Sequence, residues 1–153
     1  MHVIVATDGS KQSLAAAKQL KTFADPARIT DISVIAVIRP LASVAFADEL
    51  SEGSRKKADW ETDSFRAAAE SAVSTIAAVY DGWGPKVHKR VRSGSAANEI
   101  IKAAKQYDAG LVVVAAGSRG ISESVLLGST AQRVQHSAPC PVLVVRPKPR
   151  SKR

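Results

Sequence analysis

Short apolar runs alternate with stretches in helical period along this chain of 153 residues. The first run, His2 to Ala6, leads into the turn residues Thr7-Asp8-Gly9-Ser10. A helix to about Ala24 follows, with a predicted apolar stripe of Ala16, Leu20, Phe23 and Ala24. Ile32 to Ile38 reads as a second, fully buried strand, stopped by Arg39-Pro40. A long helix from about Arg55 to Tyr80 ends at Gly82-Trp83-Gly84-Pro85. Then come a strand over Lys86 to Arg92, a helix over Ser95 to Tyr107 and a strand over Leu111 to Ala115. A helix over Ser129 to His136 and a strand over Pro141 to Arg146 complete the pattern. Strict alternation of this kind predicts an α/β fold: a doubly wound, Rossmann-like, five-stranded parallel sheet with helices on both faces.

The strands differ in how apolar they are, and that difference orders them. Val3 to Ala6, Ile32 to Ile38 and Leu111 to Val114 are near-continuous apolar runs, as interior parallel strands are. Lys86-Val87-His88-Lys89-Arg90-Val91-Arg92 is heavily charged, which suits a protected outer edge. Strand order 3-2-1-4-5 puts that strand at one edge and the uniformly apolar Val142-Leu143-Val144-Val145 at the other. An apolar edge invites pairing, so a homodimer through Val142 to Arg146 is expected.

Composition narrows the class further. With 45% apolar and 24% charged residues, the chain has the makeup of a soluble globular domain, and its length suffices for one core without staples. No apolar stretch approaches the roughly 20 residues of a membrane span, and the start shows no secretory pattern. A single cysteine, Cys140, fits a reducing compartment; a cytoplasmic location is expected. The net charge of +8 is unevenly placed. Five of the positive charges lie in residues 146–153, so the body before them carries +3. Residues 1–147 thus read as one domain, and residues 148–153 as a basic, disordered tail. Contact of that tail with nucleic acid is the less favoured reading beside simple solvation.

The candidate chemistry lies behind the fourth strand. Gly117-Ser118-Arg119-Gly120 follows the apolar run, and Gly128-Ser129-Thr130 opens the next helix. Glycine admits close approach of backbone to an oxyanion, and the N–H groups of a helix N-terminus supply donors and positive dipole. Ser129 with Gln132 three residues on has the spacing of a capping box. Ser93-Gly94-Ser95 precedes another helix on the same side of the sheet, where Ser95 is expected to cap and a phosphate contact is an added prospect. The long segment Arg39 to Gly53, with Asp48, Glu49 and Glu52, also leaves the sheet on this side. It is either a cover over the site or a variable surface loop, the latter slightly favoured.

Thr7-Asp8-Gly9-Ser10, Ala36-Val37-Ile38, the Gly117 loop, Gly128-Ser129 and the closing Ala138-Pro139-Cys140-Pro141-Val142-Leu143-Val144-Val145 together resemble the universal stress protein family, over essentially residues 1–147. The resemblance implies the strand order inferred above, a dimer through the last strand, and ATP, with or without Mg²⁺, at the ends of strands one, two and four. By position it assigns an adenine or ribose contact to Asp8, with Ala6, Thr7 and Ser10 around that pocket, and Val37 to the adenine. It assigns the phosphates to Gly117, Gly120, Gly128, Ser129 and Thr130, with Ser118 and Arg119 adding donors. The family pattern Gly-x2-Gly-x9-Gly-Ser/Thr is shortened here, because seven residues separate Gly120 from Gly128. If the strand keeps the family register instead, the loop-glycine positions fall on Ala115 and Ser118. Both registers stay open at this level.

Other chemistries lack their residues. No Gly-x-Gly-x-x-Gly follows the first strand, and no Gly-x4-Gly-Lys-Ser/Thr occurs. Cys140 between two prolines reads as a packed, inert thiol, and His2, His88 and His136 show no metal-ligand spacing. Trp60 and Trp83, flanking the long helix, read as packing residues. Three functions follow: an adenine-nucleotide-binding stress or signalling module, a nucleotide-independent dimeric scaffold of the same fold, and a slow ATP hydrolase. With no metal ligands and no catalytic base in view, binding is favoured over catalysis.

Overall fold

The computed structural model describes residues 1–40, 52–117, 127–146 and 148, with residues 52–62 described through their backbone. Five strands, β1 (His2–Thr7), β2 (Asp31–Ile38), β3 (Lys86–Ser93), β4 (Ala109–Ala115) and β5 (Val142–Val145), form one sheet. Every neighbouring pair is parallel and the order is β3-β2-β1-β4-β5, the order that graded hydrophobicity predicts. Helices α1 (Lys11–Phe23), α2 (Glu52–Ala78), α3 (Ala96–Gln106) and α4 (Ser129–Ser137) connect them, with a short 3₁₀ turn at Pro26–Arg28.

Side chains alternate between the two faces of a strand, so the sheet has two cores. On one face Val3, Val5, Ile32, Val34 and Val113 meet Ala16, Ala17 and Leu20 of α1 and Val73, Ile76 and Ala77 of α2. On the other, Ile4, Ile35, Val112 and Val114 meet Ala97, Ile100, Ala103 and Ala104 of α3 and Ala131 and Val134 of α4. The chain crosses between faces when it passes from β3 to β4, reversing the direction of winding. The crevice this leaves at the carboxyl ends of β1 and β4 is where open α/β sheets take ligands.

Local determinants agree with the elements they bound. Ser10 caps α1, its Oγ accepting from Ser13 N at 3.1 Å. Asp25 begins the 3₁₀ turn by accepting from Ala27 N at 2.9 Å, with Pro26 directly after it. Tyr80 is buried under α1 and donates its hydroxyl to Ala17 O at 2.8 Å, while burial pushes its pKa up. Trp83 packs on Tyr80, with ring centroids 5.6 Å apart and Lys21 Nζ 5.9 Å from its ring. The side chain of Trp60 lies outside the described residues.

Three sequence expectations are corrected. Phe23 is 60% exposed; the buried stripe of α1 is Ser13, Ala16, Ala17 and Leu20. Relative to Leu20, a residue three further on falls about 60° to the side of the stripe, and four further on, Ala24, falls nearer its centre. The N-cap of α4 is Gly128, not Ser129, so the Ser129–Gln132 capping box does not form. Ser95 does occupy the N-cap of α3, yet its side chain makes no cap bond.

Candidate functional site

The carboxyl ends of the strands gather most of the described residues singled out in the sequence. Thr7 ends β1 and is buried; its Oγ1 lies 2.8 Å from Ser13 Oγ and accepts from Gly9 N at 3.1 Å. Gly9 turns the chain with φ +80°, a conformation that glycine takes without strain. Asp8 is exposed, and its Oδ1 accepts from Ser10 N at 3.0 Å. Thr7 and Ser10 therefore fix the β1–α1 turn and the start of α1, and Asp8 closes the same turn through its bond from Ser10 N. Ala6 and Val37 are half-buried and pack against the α3–α4 core.

The fourth strand runs further than its four leading apolar residues. Ala115 pairs with Val145 in the β4–β5 ladder, and Ala116 N extends the pairing by donating to Val145 O at 2.9 Å. Among the described residues only Asp108 takes a positive φ without being glycine, so Ala115 carries no left-handed strain. Gly117 is the residue that leaves the strand. Gly128 returns directly beside it, its N–H donating to Ala116 O at 2.6 Å. A Cβ on Gly128 would stand 3.0 Å from Ala116 O and 3.4 Å from Gly117 Cα. The two glycines are thus packed together although ten residues lie between them in sequence. Ser118, Arg119 and Gly120 lie outside the described residues, as do residues 41–51 of the long segment.

A cleft of about 170 Å³ opens on this edge, lined among the described residues by Arg39, Ser95, Ala96, Ala97, Ser129, Thr130 and Arg133. It holds the N-termini of both helices on the α3–α4 face. Neither has a cap bond from its own N-cap side chain, in contrast with α1, which Ser10 closes. The first turns of two helices and two arginines therefore border one space, residue types whose orphan N–H and guanidinium groups suit phosphate. The acidic residue of the first turn of α3, Glu99, is engaged elsewhere. Its Oε2 accepts from Arg92 Nε at 2.9 Å and its Oε1 from Lys102 Nζ at 3.1 Å. Those bonds, Arg92 first, hold its carboxyl below the usual carboxylate range.

Ser129 and Thr130 were legible from sequence, but Arg39 and Arg133 were not. The available signals were slight: Arg133 lies one helical turn after Ser129, and Arg39 directly follows β2. Cys140 packs against the α3–α4 core, and burial pushes its thiol pKa up, which disfavours the reactive thiolate. No group of three His, Cys, Asp or Glu side chains suited to a metal occurs among the described residues. No helix among them is long and apolar enough to cross a membrane.

The universal stress protein family model matches residues 1–146. The universal stress protein MJ0531 of Methanocaldococcus jannaschii is 34% identical over 146 residues, covering 94% of this chain and 81% of that protein. Among solved structures, that of the hypothetical protein MJ0577 superposes with a TM-score of 0.79 at 20% identity, covering 96% of each chain. A universal stress protein family member from Arabidopsis thaliana, At3g01520, solved with AMP bound, gives a TM-score of 0.67 at 16% identity. That match covers 99% of this chain and 97% of the other. With the strand order, the turn after β1 and the paired glycines at the crevice already in place, these matches establish that the chain belongs to the universal stress protein family.

Proposed function

We propose that this protein binds an adenine nucleotide at the crevice between β1 and β4 and acts as a dimeric stress-response or signalling module. The observation that carries the reading is the convergence of two N-termini, α3 and α4, with Arg39 and Arg133 on one cleft. Dipole and orphan N–H groups act only within the first turn, so an anion between two such ends gains from both at once. At about 170 Å³ the cleft is smaller than the roughly 300–1,000 Å³ of a whole small-ligand pocket, and its size suits phosphate groups. The base then points toward half-buried Ala6 and Val37, near exposed Asp8, whose carboxylate is of a type that accepts from a ribose hydroxyl or an adenine amine. The AMP-bound relative supports adenine as the base.

ATP and AMP share these contacts, and ATP is the favoured ligand because a triphosphate can engage both helix ends. Mg²⁺, if it accompanies ATP, would be held chiefly by the phosphates, since the described lining offers hydroxyls and guanidinium groups. A nucleotide-independent scaffold is the competing reading, and equilibrium dialysis separates the two. ATP and AMP should be retained and GTP should be retained less, and Arg133→Ala or Arg39→Ala should each weaken retention about 10-fold or more, the scale of one charge-assisted hydrogen bond. No retention of any adenine nucleotide at millimolar concentration would establish the scaffold reading.

A further inference from the structure

At the opposite end of the sheet, where β1, β2 and β3 begin, a cluster of polar and aromatic side chains occupies the α3 face. The ladder register puts His2 beside Asp31, Ile4 beside Ser33, Ser33 beside His88 and Ile35 beside Arg90, so the polar members share one face. Ser33 is fully buried. Its Oγ accepts from Arg90 Nε at 3.1 Å and lies 2.8 Å from His2 Nε2. His88 Nε2 is 2.9 Å from Asp31 Oδ1. The rings stack: His2 is 5.2 Å from Tyr107 and 6.2 Å from His88, and the Arg90 guanidinium stands 4.3 Å from the centre of Tyr107. Tyr107 is the C-cap of α3, so the cluster ties three strands to the end of that helix.

The donor inventory sets the direction of the chain of bonds. A guanidinium only donates, so Ser33 Oγ accepts from Arg90. The Ser33 hydroxyl proton then needs an acceptor, and among the described residues His2 Nε2 is the one within reach. His2 in this arrangement is neutral, with its proton on Nδ1. Protonation of Nε2 would turn it from acceptor to donor and leave the hydroxyl proton of fully buried Ser33 without its acceptor. We propose that the Arg90–Ser33–His2 chain, flanked by the His88–Asp31 pair, is a proton-operated clasp on the β3 edge, closed while His2 is neutral and opened when His2 takes a proton.

The charges that face His2 reinforce this behaviour. Burial is the largest influence holding the pKa of His2 down; among the described residues Asp31 on β2 favours a positive ring, while His88 and Arg90 on β3 and the N-terminal ammonium oppose one. His88 Nε2 lies 2.9 Å from Asp31 Oδ1, so the carboxylate that faces His2 is also held by the neighbouring ring.

Histidine ¹⁵N NMR of the whole chain between pH 8 and 4.5, with amide exchange on the same samples, tests the clasp. At neutral pH His2 should show the Nδ1–H tautomer and titrate below the ordinary imidazole value. Ser33→Ala and Arg90→Gln should each raise that midpoint, the first by loss of the donor and the second by loss of a facing charge. Below the midpoint, protection factors over Val87–Val91 should fall about 10-fold relative to β1. They should not fall in His2→Gln, which keeps an acceptor and cannot charge. An Nε2–H tautomer at neutral pH, or the same loss of protection in His2→Gln, overturns the proposal.

Discussion

At Gly128 the need for glycine comes from space and not from conformation. Its φ of −59° and ψ of 153° are open to any residue, but a Cβ would press within 3.0 Å of a backbone oxygen that its own N–H must reach. Gly128→Ala should therefore lower stability by about 1–3 kcal/mol in urea unfolding, an overpacking cost, and weaken nucleotide binding as the start of α4 shifts. The sequence places Gly128-Ser129 at a helix start but does not say which residue is the first in helical geometry. The bond from Gly128 N to Ala116 O decides that, and it is a tertiary contact no local pattern contains. Two serines at N-caps make a contrasting pair. Ser10→Ala should cost about 1 kcal/mol because a real cap bond is lost. Ser95→Ala should leave the urea midpoint nearly unchanged, because its side chain caps nothing, and should show its effect in nucleotide affinity.

Among the elements, β3 and α3 show how charged residues serve an edge. Arg92 on β3 reaches Glu99 of α3 through Nε and Gln106 through a second guanidinium nitrogen at 3.0 Å. Strand and helix are thus joined at both ends of α3 by one arginine of the strand whose charge marked it as a protected outer edge. The carboxyl of Glu99 has its pKa held down in the folded state, so the contribution is fully present above the usual carboxylate range. It is lost as pH falls through that range toward the folded value. Stability measured from pH 6 down to pH 3 should fall less steeply in Glu99→Gln, with a lower plateau at neutral pH; parallel profiles would contradict the assignment. Element identity was readable because strand runs are continuous and helices periodic. Orientation was less so: the stripe assigned to α1 included Phe23, because a helical pattern fixes which residues share a face only to within about one position.

Across the whole molecule, graded hydrophobicity carried the strand order because solvent exposure at an edge acts directly on composition. The cleft was harder to see, since Arg39, Ser95 and Arg133 come from three separated connections and meet only through the topology. The apolar edge at β5 remains half-exposed in a single copy. Pro141 and Val145 turn their carbonyls to β4, so in an extended strand Val142 and Val144 direct theirs, and their N–H groups, outward. If a second copy pairs there, Val144→Pro should convert dimer to monomer in sedimentation equilibrium while the monomer keeps its fold. A wild-type chain that sediments as a monomer at all concentrations would remove the dimer from the account. The central claim is that nucleotide phosphate sits between the N-termini of α3 and α4. An amide NMR titration with ATP reads those N–H groups directly. The account predicts saturable shifts largest at Ala96, Ala97, Ser129 and Thr130; an unchanged spectrum, or shifts confined to other parts of the sheet, would contradict it.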